Sequence, residues 1–266
     1  MPEGDVLRLT AERLTAALAG APLVRAELRW PSVGGAHLVG ATATGTTAYG
    51  KHLFTRLDDG RTLHTHLRME GYWRVHRTGT REAAGRNPAV RAVLATERWT
   101  CLGWHLGMMD LVRTRDEERL IDGLGPDVMD AEFEAGDPPG VTEGAERLVR
   151  DPLRPLCDAL LDQRTVAGMG TIWMAESLFA RRLWPWTPAG DLDDLARRAL
   201  LLTAHQLMLR AVAVARTQGM QGVRHHVHGR LRSPCRRCGT PIAVGVANEQ
   251  PFERPVFWCP SCQARP

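Results

Sequence analysis

The hydrophobic and polar positions follow different periods in the two halves of the chain. Residues 3 to 19 predict a helix, because leucines and alanines recur at every third or fourth position until Gly20 and Pro22 end the run. From Leu23 to about Arg115, short apolar segments alternate with turn residues, which is typical of β-strands. The segments LFTRL and RTLHTHL flank the turn DDG and predict a β-hairpin.

The pattern changes beyond residue 123. Between Gly123 and Gly144 the chain is dense in glycine, proline and acids, which predicts a linker. After it, residues 153 to 163, 172 to 182 and 192 to 216 predict helices, and the last has a broad apolar face. The chain therefore combines a β-rich first half with a helical second half.

Charge is concentrated at the C-terminal end. The whole chain has a net charge of +4, yet residues 224 to 266 hold seven arginines against two glutamates. Hydrophobic residues make up 44% and charged residues 24%, as in ordinary globular proteins, and no apolar run reaches the ~20 residues of a membrane span. The acidic start, MPEGD, does not match a secretory signal peptide. We therefore expect a cytoplasmic protein that does not associate with a membrane.

Lysine occurs once, as Lys51, among 34 basic residues. A compositional bias that replaces lysine by arginine explains the rest of the chain. An ammonium can gain or lose a proton, whereas a guanidinium effectively cannot. The position that kept its lysine therefore indicates a chemical role for an amine.

Four of the six cysteines form a pattern near the C-terminus. Cys235, Cys238, Cys259 and Cys262 are arranged as two Cys-x2-Cys pairs separated by twenty residues, which predicts one structural Zn²⁺ in a tetrahedral thiolate site. Disulfides and an iron site are the alternatives. Such a metal would stabilise about forty residues that have few apolar side chains, and it would turn their arginines into a rigid platform for phosphates or for a protein partner.

The N-terminus contains a second candidate for chemistry. Removal of the initiator methionine would expose the secondary amine of Pro2, and an α-amino group is partly neutral and nucleophilic at pH 7. Glu3 follows with a carboxylate that can move protons near that amine. The alternative is an ordinary helix start, where proline and acids are favoured.

Four segments together resemble the formamidopyrimidine-DNA glycosylase and endonuclease VIII family. They are MPEG at the start, YGKHL at residues 49 to 53, LLDQRTVAGMGTIW at residues 160 to 173, and CRRCGTPI with FWCPSCQ at the end. They occur in the family's order along the whole chain. The continuation after MPEG and the segment THLRMEGYWRV are closer to the endonuclease VIII branch, especially its actinobacterial members.

The resemblance implies an activity and assigns catalytic residues. Pro2 would attack C1′ of a damaged nucleotide, release the base and leave an iminium that undergoes β-elimination. Glu3 would act as general acid and base, and Lys51 would assist protonation and hold the phosphate or sugar. Arg254 would contact the phosphates that flank the lesion and aid a second, δ elimination; a solvated surface arginine is the alternative.

The resemblance also implies DNA contacts. Residues 162 to 173 would form a helix-two-turn-helix in which Gly168 and Gly170 let backbone amides approach a phosphate, although this segment is also compatible with a tight connection. Thr171 stands where the family usually has a phosphate-binding asparagine. Arg68 and Met69 lie where the family inserts side chains into the gap left by an everted base; an ordinary turn or core role for Met69 is the alternative.

The expected fold is α+β: an N-terminal β-sandwich with one leading helix, then a helical helix-two-turn-helix domain with a four-cysteine zinc β-hairpin. The expected boundaries are 1–125 for the catalytic domain, 126–145 for the linker, 146–225 for the DNA-binding domain and 226–266 for the hairpin. The expected partner is duplex DNA with damaged bases or abasic sites, bound by a monomer.

Substrate choice is less constrained. Val6 stands where many members have a glutamate that reads the lesion, and the arginine-phenylalanine loop of some members is not evident in GMMDLVRTRDEERL. The endonuclease VIII likeness favours oxidised pyrimidines. Two alternatives are a non-catalytic damaged-DNA binder and a lyase that acts on abasic sites without excising bases.

Overall fold

The computed structural model describes residues 2–136 and 139–265. The chain divides into two compact units. The first contains Pro2 and the segment Val6–Asp122, and the second contains Glu3–Asp5 and the chain from Gly123 onward. The segment predicted as a linker, 126–145, belongs to the second unit. The boundaries between the linker, the DNA-binding domain and the hairpin remain a prediction.

The first unit is a β-sandwich that includes most of the leading helix. One antiparallel sheet has the order β1-β6-β7-β5 and the other has the order β2-β3-β4-β8. The elements are α1 (Gly4–Leu18), β1 (Arg25–Leu28), β2 (Ala43–Tyr49), β3 (His52–Leu57), β4 (Arg61–His66), β5 (Tyr72–Arg77), β6 (Val90–Ala95), β7 (Trp99–Trp104) and β8 (Met108–Arg113). The predicted helix, strand-rich region and β3–β4 hairpin are confirmed.

The core of the first unit is formed by both sheets and α1. The apolar positions of α1, such as Leu7, Leu14 and Leu18, are buried in the same cluster as Leu53 of β3 and Leu94 of β6. The alternation within each strand explains this arrangement, because every second residue points to the same face of a sheet.

The second unit is helical and ends in a two-stranded hairpin. Its elements are α2 (Gly140–Leu148), α3 (Leu156–Leu161), α4 (Thr171–Arg181), α5 (Asp194–Gln218), β9 (Ala243–Ala247) and β10 (Arg254–Trp258). The α+β class and the helical second half are confirmed. Helix α2 was not predicted: its first residue follows a proline-rich and glycine-rich segment, but Val141, Ala145 and Leu148 form a buried stripe.

Helix α5 is long and apolar enough, by length and composition alone, to cross a membrane. It packs against α2 and α4 within its unit. Its buried positions include Leu200, Leu201, Ala204, Met208 and Val212. This burial is typical of the core helix of a globular unit.

Candidate active site and metal centre

The Glu3 carboxylate is held by the first turn of α4. Its side chain is 1% exposed. Oε2 accepts from the backbone N–H groups of Gly170 at 2.8 Å and Trp173 at 3.3 Å, and Oε1 accepts from that of Ile172 at 2.8 Å. The first N–H groups of a helix have no partner within it, and the helix dipole favours an anion there. The start of the chain thus places a carboxylate at a helix N-terminus.

Gly170 is required by this arrangement. A Cβ at Gly170 would lie 2.6 Å from Cδ and Oε1 of Glu3. The backbone of Gly170 is extended, with φ of −142°, so a side chain is excluded by the carboxylate and not by backbone strain. The absence of a side chain at this position therefore lets the carboxylate reach the amides.

Gly168 belongs to the turn before α4, with φ of +97°, a conformation that favours glycine. Its N–H donates to Oε1 of Gln163 at 3.1 Å, and its carbonyl accepts from the N–H of Gly4 at 2.9 Å. Gln163 also donates to the carbonyls of Leu161 and Met169. The amides of Gly168 and Gly170 thus have partners within the chain, and Thr171 is the first residue of α4.

Pro2 and Lys51 both belong to the first unit. Pro2 is half-buried and directly precedes Glu3. Lys51 is 7% exposed and lies with Gly50 in the two-residue turn between β2 and β3, where Tyr49 pairs with His52. Burial of an ammonium costs free energy unless the group has partners. Burial of Lys51 is therefore consistent with a functional role for this lysine.

The loop between β4 and β5 contains Arg68 and Met69. Met69 is 61% exposed, so it is not a core residue. Arg68 has φ of +55°, and its N–H donates to Nδ1 of His66 at 2.9 Å. A Cβ at Gly107 would lie 2.1 Å from Cγ of Arg68, so the arginine stem occupies the space that this glycine leaves. The structure thus presents an exposed apolar side chain on a constrained loop.

The four cysteine sulfurs of the second unit form one compact group. All four Sγ atoms lie within 4.8 Å of one another; Cys235 and Cys262 are 4.0 Å apart, and Cys238 and Cys259 are 3.5 Å apart. Four sulfurs bound to one zinc at about 2.3 Å would be separated by about 3.8 Å. The described part of the chain contains no other His, Cys, Asp or Glu group with this compactness.

Both cysteine pairs lie in backbone turns at the base of the β9–β10 hairpin. The N–H of Gly239 donates to the carbonyl of Cys235, and that of Gln263 donates to the carbonyl of Cys259. The Gln263 side chain is fully buried; Oε1 accepts from the N–H of Cys259, and Nε2 donates to the carbonyl of Leu183. These bonds hold the second pair against the helical part of the same unit.

The arginines of this region do not all face solvent. Arg237 lies over the ring of Phe179 at 4.2 Å and donates to its carbonyl. Arg230 donates to the carbonyls of His226 and Pro234. Arg254 begins β10, is half-buried, and its guanidinium folds back onto the carbonyl of Glu253 at 2.8 Å.

Sequence reasoning missed the buried acid Glu176 in α4. Its carboxylate is 3% exposed and accepts three backbone N–H groups, from His226 at 2.8 Å and from Val227 and His228 at 2.9 Å each. The signal was present, because a glutamate in the apolar run WMAESLFA must find donors if that face is buried. Glu176 therefore fixes the segment that leads to the cysteine hairpin.

A group of histidines was also missed. His52, His64 and His66 lie on neighbouring strands β3 and β4, and His64 faces Asp110 of β8. Burial is the largest cause that lowers the pKa of His52 to about 4 and that of His66 to about 3. The alternation in LHTH puts two of these imidazoles on one face.

Comparison with known proteins places these features in a family. Residues 1–103 match the model of the formamidopyrimidine-DNA glycosylase N-terminal domain, and residues 124–221 match that of the formamidopyrimidine-DNA glycosylase H2TH domain. The chain belongs to the formamidopyrimidine-DNA glycosylase and endonuclease VIII family.

Its relatives include actinobacterial proteins of the endonuclease VIII branch. A probable endonuclease 8 2 of Streptomyces coelicolor is 40% identical, with 100% of this chain and 95% of the relative covered. A DNA-(apurinic or apyrimidinic site) lyase of Mycolicibacterium smegmatis is 36% identical, with 99% of each covered. The formamidopyrimidine-DNA glycosylase of Lactococcus lactis, solved with DNA containing an abasic site, shares the fold with a TM-score of 0.82 at 21% identity, over 99% of this chain and 100% of that one.

Proposed function

We propose that this protein is a DNA glycosylase and abasic-site lyase of base excision repair. The observation that supports this most directly is the Glu3 carboxylate, which follows Pro2 in the chain and is fixed by three amides of α4. A nucleophilic amine next to a positioned carboxylate is suited to covalent catalysis with proton transfer. The names of the two actinobacterial relatives agree with this activity.

The proposed reaction begins with attack of the Pro2 nitrogen on C1′ of the damaged nucleotide. The bond between C1′ and the base breaks, and the base leaves with the electron pair and takes up a proton. The Pro2 nitrogen then loses its own proton, and its lone pair opens the sugar ring as O4′ takes up a proton, which gives an iminium between Pro2 and C1′. Loss of a proton from C2′ then expels the 3′ phosphate by β-elimination, and a second, δ elimination expels the 5′ phosphate.

The proposed roles of the charged residues follow from their chemistry. Glu3 carries protons to and from the sugar and the leaving base, because it is the carboxylate adjacent to the nucleophile. Lys51 assists protonation and holds the phosphate or sugar; its near-complete burial supports a fixed position. Arg254 contacts phosphates that flank the lesion and promotes the second elimination, which requires its guanidinium to leave the carbonyl of Glu253.

The proposed DNA contacts come from both units. Met69, exposed on its loop beside Arg68, fills the gap left by the everted nucleotide. The turn with Gly168 and Gly170 and the hydroxyl of Thr171 approaches a phosphate. The amides of both glycines already have partners in the chain. The proposed phosphate contact therefore depends on the hydroxyl of Thr171 as the hydrogen-bond donor.

The test of the nucleophile is reductive trapping. Borohydride added with abasic-site DNA should give a covalent complex with the protein and at most a small fraction of it with Pro2→Ala, whose N-terminal alanine still has a primary amine. A matched protein with an uncleaved N-terminal extension should give none, because the nitrogen of Pro2 is then an amide that cannot attack C1′. Intact DNA binding without a trapped complex would instead support a non-catalytic damaged-DNA binder.

Zn²⁺ is the metal that we propose for Cys235, Cys238, Cys259 and Cys262. The spacing of the sulfurs fits a tetrahedral thiolate site, which supplies folding free energy and no reaction chemistry. Strong chelation should release one zinc per chain and abolish DNA binding. Retained affinity after complete zinc loss would show that the hairpin does not anchor the DNA.

Oxidised pyrimidines are the proposed lesions, in keeping with the endonuclease VIII branch. A second candidate function, abasic-site cleavage without base excision, is favoured by the name of the Mycolicibacterium smegmatis relative. A panel of duplexes with single oxidised bases separates the two, because only a glycosylase produces free base before strand cleavage.

Damaged duplex DNA is the partner implied by this function, which places the protein with the bacterial chromosome. We expect a monomer that binds one lesion at a time. Light scattering of the protein alone and with a short abasic duplex would measure both masses, and a dimer in either sample would contradict this expectation.

A further inference from the structure

One face of the sheet β2-β3-β4-β8 has a row of imidazoles that ends in a carboxylate. His52 pairs with His66, Phe54 pairs with His64, and His64 pairs with Asp110 in the strand register. Because residues directly opposite each other project to the same face, these side chains lie side by side. The rings of His52 and His64 are stacked with centroids 5.1 Å apart, and His66 lies edge-on to His52 at 4.9 Å.

Hydrogen bonds connect three of these groups in a line. Nδ1 of His64 lies 3.1 Å from Oδ2 of Asp110, and Nδ1 of His52 lies 2.8 Å from Nε2 of His64. An ionised carboxylate only accepts, so Nδ1 of His64 must donate to Asp110. In a neutral ring the other nitrogen is then an acceptor, so Nδ1 of His52 donates to Nε2 of His64. This leaves Nε2 of His52 as an acceptor.

The neutral state of the rings is consistent with their surroundings. Burial lowers the pKa of His64, and the hydrogen bond and charge of Asp110 oppose that effect. Burial lowers the pKa of His52 to about 4, with further contributions from His64 and Arg68. Burial therefore favours the neutral imidazole in all three rings.

The charges of two cations act on His66, the ring that lies edge-on to His52. The positive charges of Arg68 and Lys51 act on His66, together with His52 and His64, and add to the burial that lowers its pKa to about 3. Nδ1 of His66 accepts from the N–H of Arg68, so its proton lies on Nε2. His52 directly follows Lys51 in the chain, and the charge of Arg68 acts on both His52 and His66.

We propose that Asp110, His64 and His52 are positioning residues for Lys51: the line of hydrogen bonds keeps Nε2 of His52 an acceptor at the turn that carries this lysine. An acceptor lone pair attracts the N–H donors of neighbouring cations, whereas the opposite tautomer would present an N–H and repel them. The inference rests on the proposed function for its effect on the reaction, but the tautomers can be measured without it.

The first experiment is nitrogen NMR of protein labelled with ¹⁵N-histidine. His52 and His64 should each be protonated at Nδ1 and His66 at Nε2. In Asp110→Asn, the amide can either accept or donate, so His64 and His52 should lose their single tautomer. Protonation of His52 at Nε2 in the unaltered protein would overturn the proposal whatever its activity.

The second experiment measures single-turnover cleavage of an abasic duplex. Asp110→Asn should slow cleavage about tenfold, the effect of one lost hydrogen bond, while DNA affinity stays within about twofold. His64→Gln keeps a donor for Asp110 and an acceptor for His52, so it should retain most activity, whereas His64→Phe should not. His37→Asn, a change in an exposed loop of the same unit, is the control.

These outcomes distinguish failure of the positioning role from failure of the proposed function. A full rate in Asp110→Asn, or equal losses in His64→Gln and His64→Phe, would show that hydrogen-bond direction does not position Lys51. Absence of a trapped complex with the unaltered protein would instead contradict the proposed function, and the tautomers would then decide the inference alone.

Discussion

Two buried carboxylates of the second unit, those of Glu3 and Glu176, have nearly the same surroundings and different consequences. Each is at most 3% exposed and accepts three backbone N–H groups. Glu3 comes from the start of the chain and binds the N-terminus of α4. Glu176 comes from α4 itself and binds the backbone of residues 226 to 228.

Burial and hydrogen bonding therefore do not distinguish the carboxylate that we propose to be catalytic from the one that we propose to be structural. Both satisfy the requirement that a buried charge has donors. What differs is the covalent neighbour, since Glu3 follows Pro2, whose nitrogen is the proposed nucleophile, while Glu176 lies between Ala175 and Ser177 in a packed helix. Substitutions at the two positions should therefore affect different measurements.

Glu3→Gln should have the largest effect on chemistry. We expect base excision to fall at least about 100-fold, because the amide cannot transfer protons to the sugar and the leaving base. Cleavage of a preformed abasic site should fall less, since no base remains to be protonated. Single-turnover assays on both duplexes measure the difference; equal losses on both would contradict a role in base departure.

Gly170→Ala tests whether the position of the Glu3 carboxylate matters, with the carboxylate itself unchanged. The new Cβ would lie 2.6 Å from the carboxyl carbon, so Glu3 must move away from the amides. We expect excision to fall about tenfold, in line with the loss of one or two hydrogen bonds. Gly35→Ala, where a Cβ meets nothing within 4 Å, is the control and should leave excision unchanged.

Glu176→Gln should affect stability more than chemistry. A glutamine offers one acceptor oxygen and places an NH₂ group against an N–H donor, so we expect the free energy of unfolding to fall by about 1–3 kcal/mol. Denaturant unfolding followed by tryptophan fluorescence measures this loss. If Glu176→Gln left stability unchanged while Glu3→Gln lowered it, the roles that we assign to the two acids would be reversed.

The buried histidines differ from the two carboxylates, because their side chains are buried in the uncharged form. The pKa of His52 is about 4 in the folded chain, below the ordinary value of 6.5. As pH falls, His52 is therefore protonated in the unfolded chain before it is protonated in the folded chain. The free energy of unfolding decreases as pH falls from about 6.5 toward 4.

Between pH 7.5 and 5, the melting temperature of the unaltered protein should fall about 4–8 °C more than that of His52→Asn, because the lowered pKa of His52 removes roughly 2 kcal/mol of stability by pH 5. Scanning calorimetry at both pH values checks this difference. His37→Asn should behave like the unaltered protein. An equal fall of the melting temperature in all three proteins would show that the pKa of His52 does not differ between the folded and the unfolded chain.

Much of the fold could be predicted because its signals are local. Strand alternation predicted the β3–β4 hairpin, and helical spacing predicted α1 and α5. Helix α2 was missed because glycine and proline near its start favour a loop, whereas burial of its apolar stripe against α5 decided the outcome. Sequence also identified the four cysteines, since the spacing of each pair is set by a single turn.

The amino-acid sequence by itself determined the chemical groups of this protein: a proline at position 2 as the proposed source of an amine, a carboxylate beside it, a single lysine, and two pairs of thiols at metal-binding spacing. Only the tertiary structure decided how these groups are held. The bond from Gly170 to Glu3 joins residues 167 positions apart, and the one from Asp110 to His64 joins residues 46 apart. Such contacts depend on folding of the whole unit, because no local pattern specifies which distant donor a buried acceptor will meet.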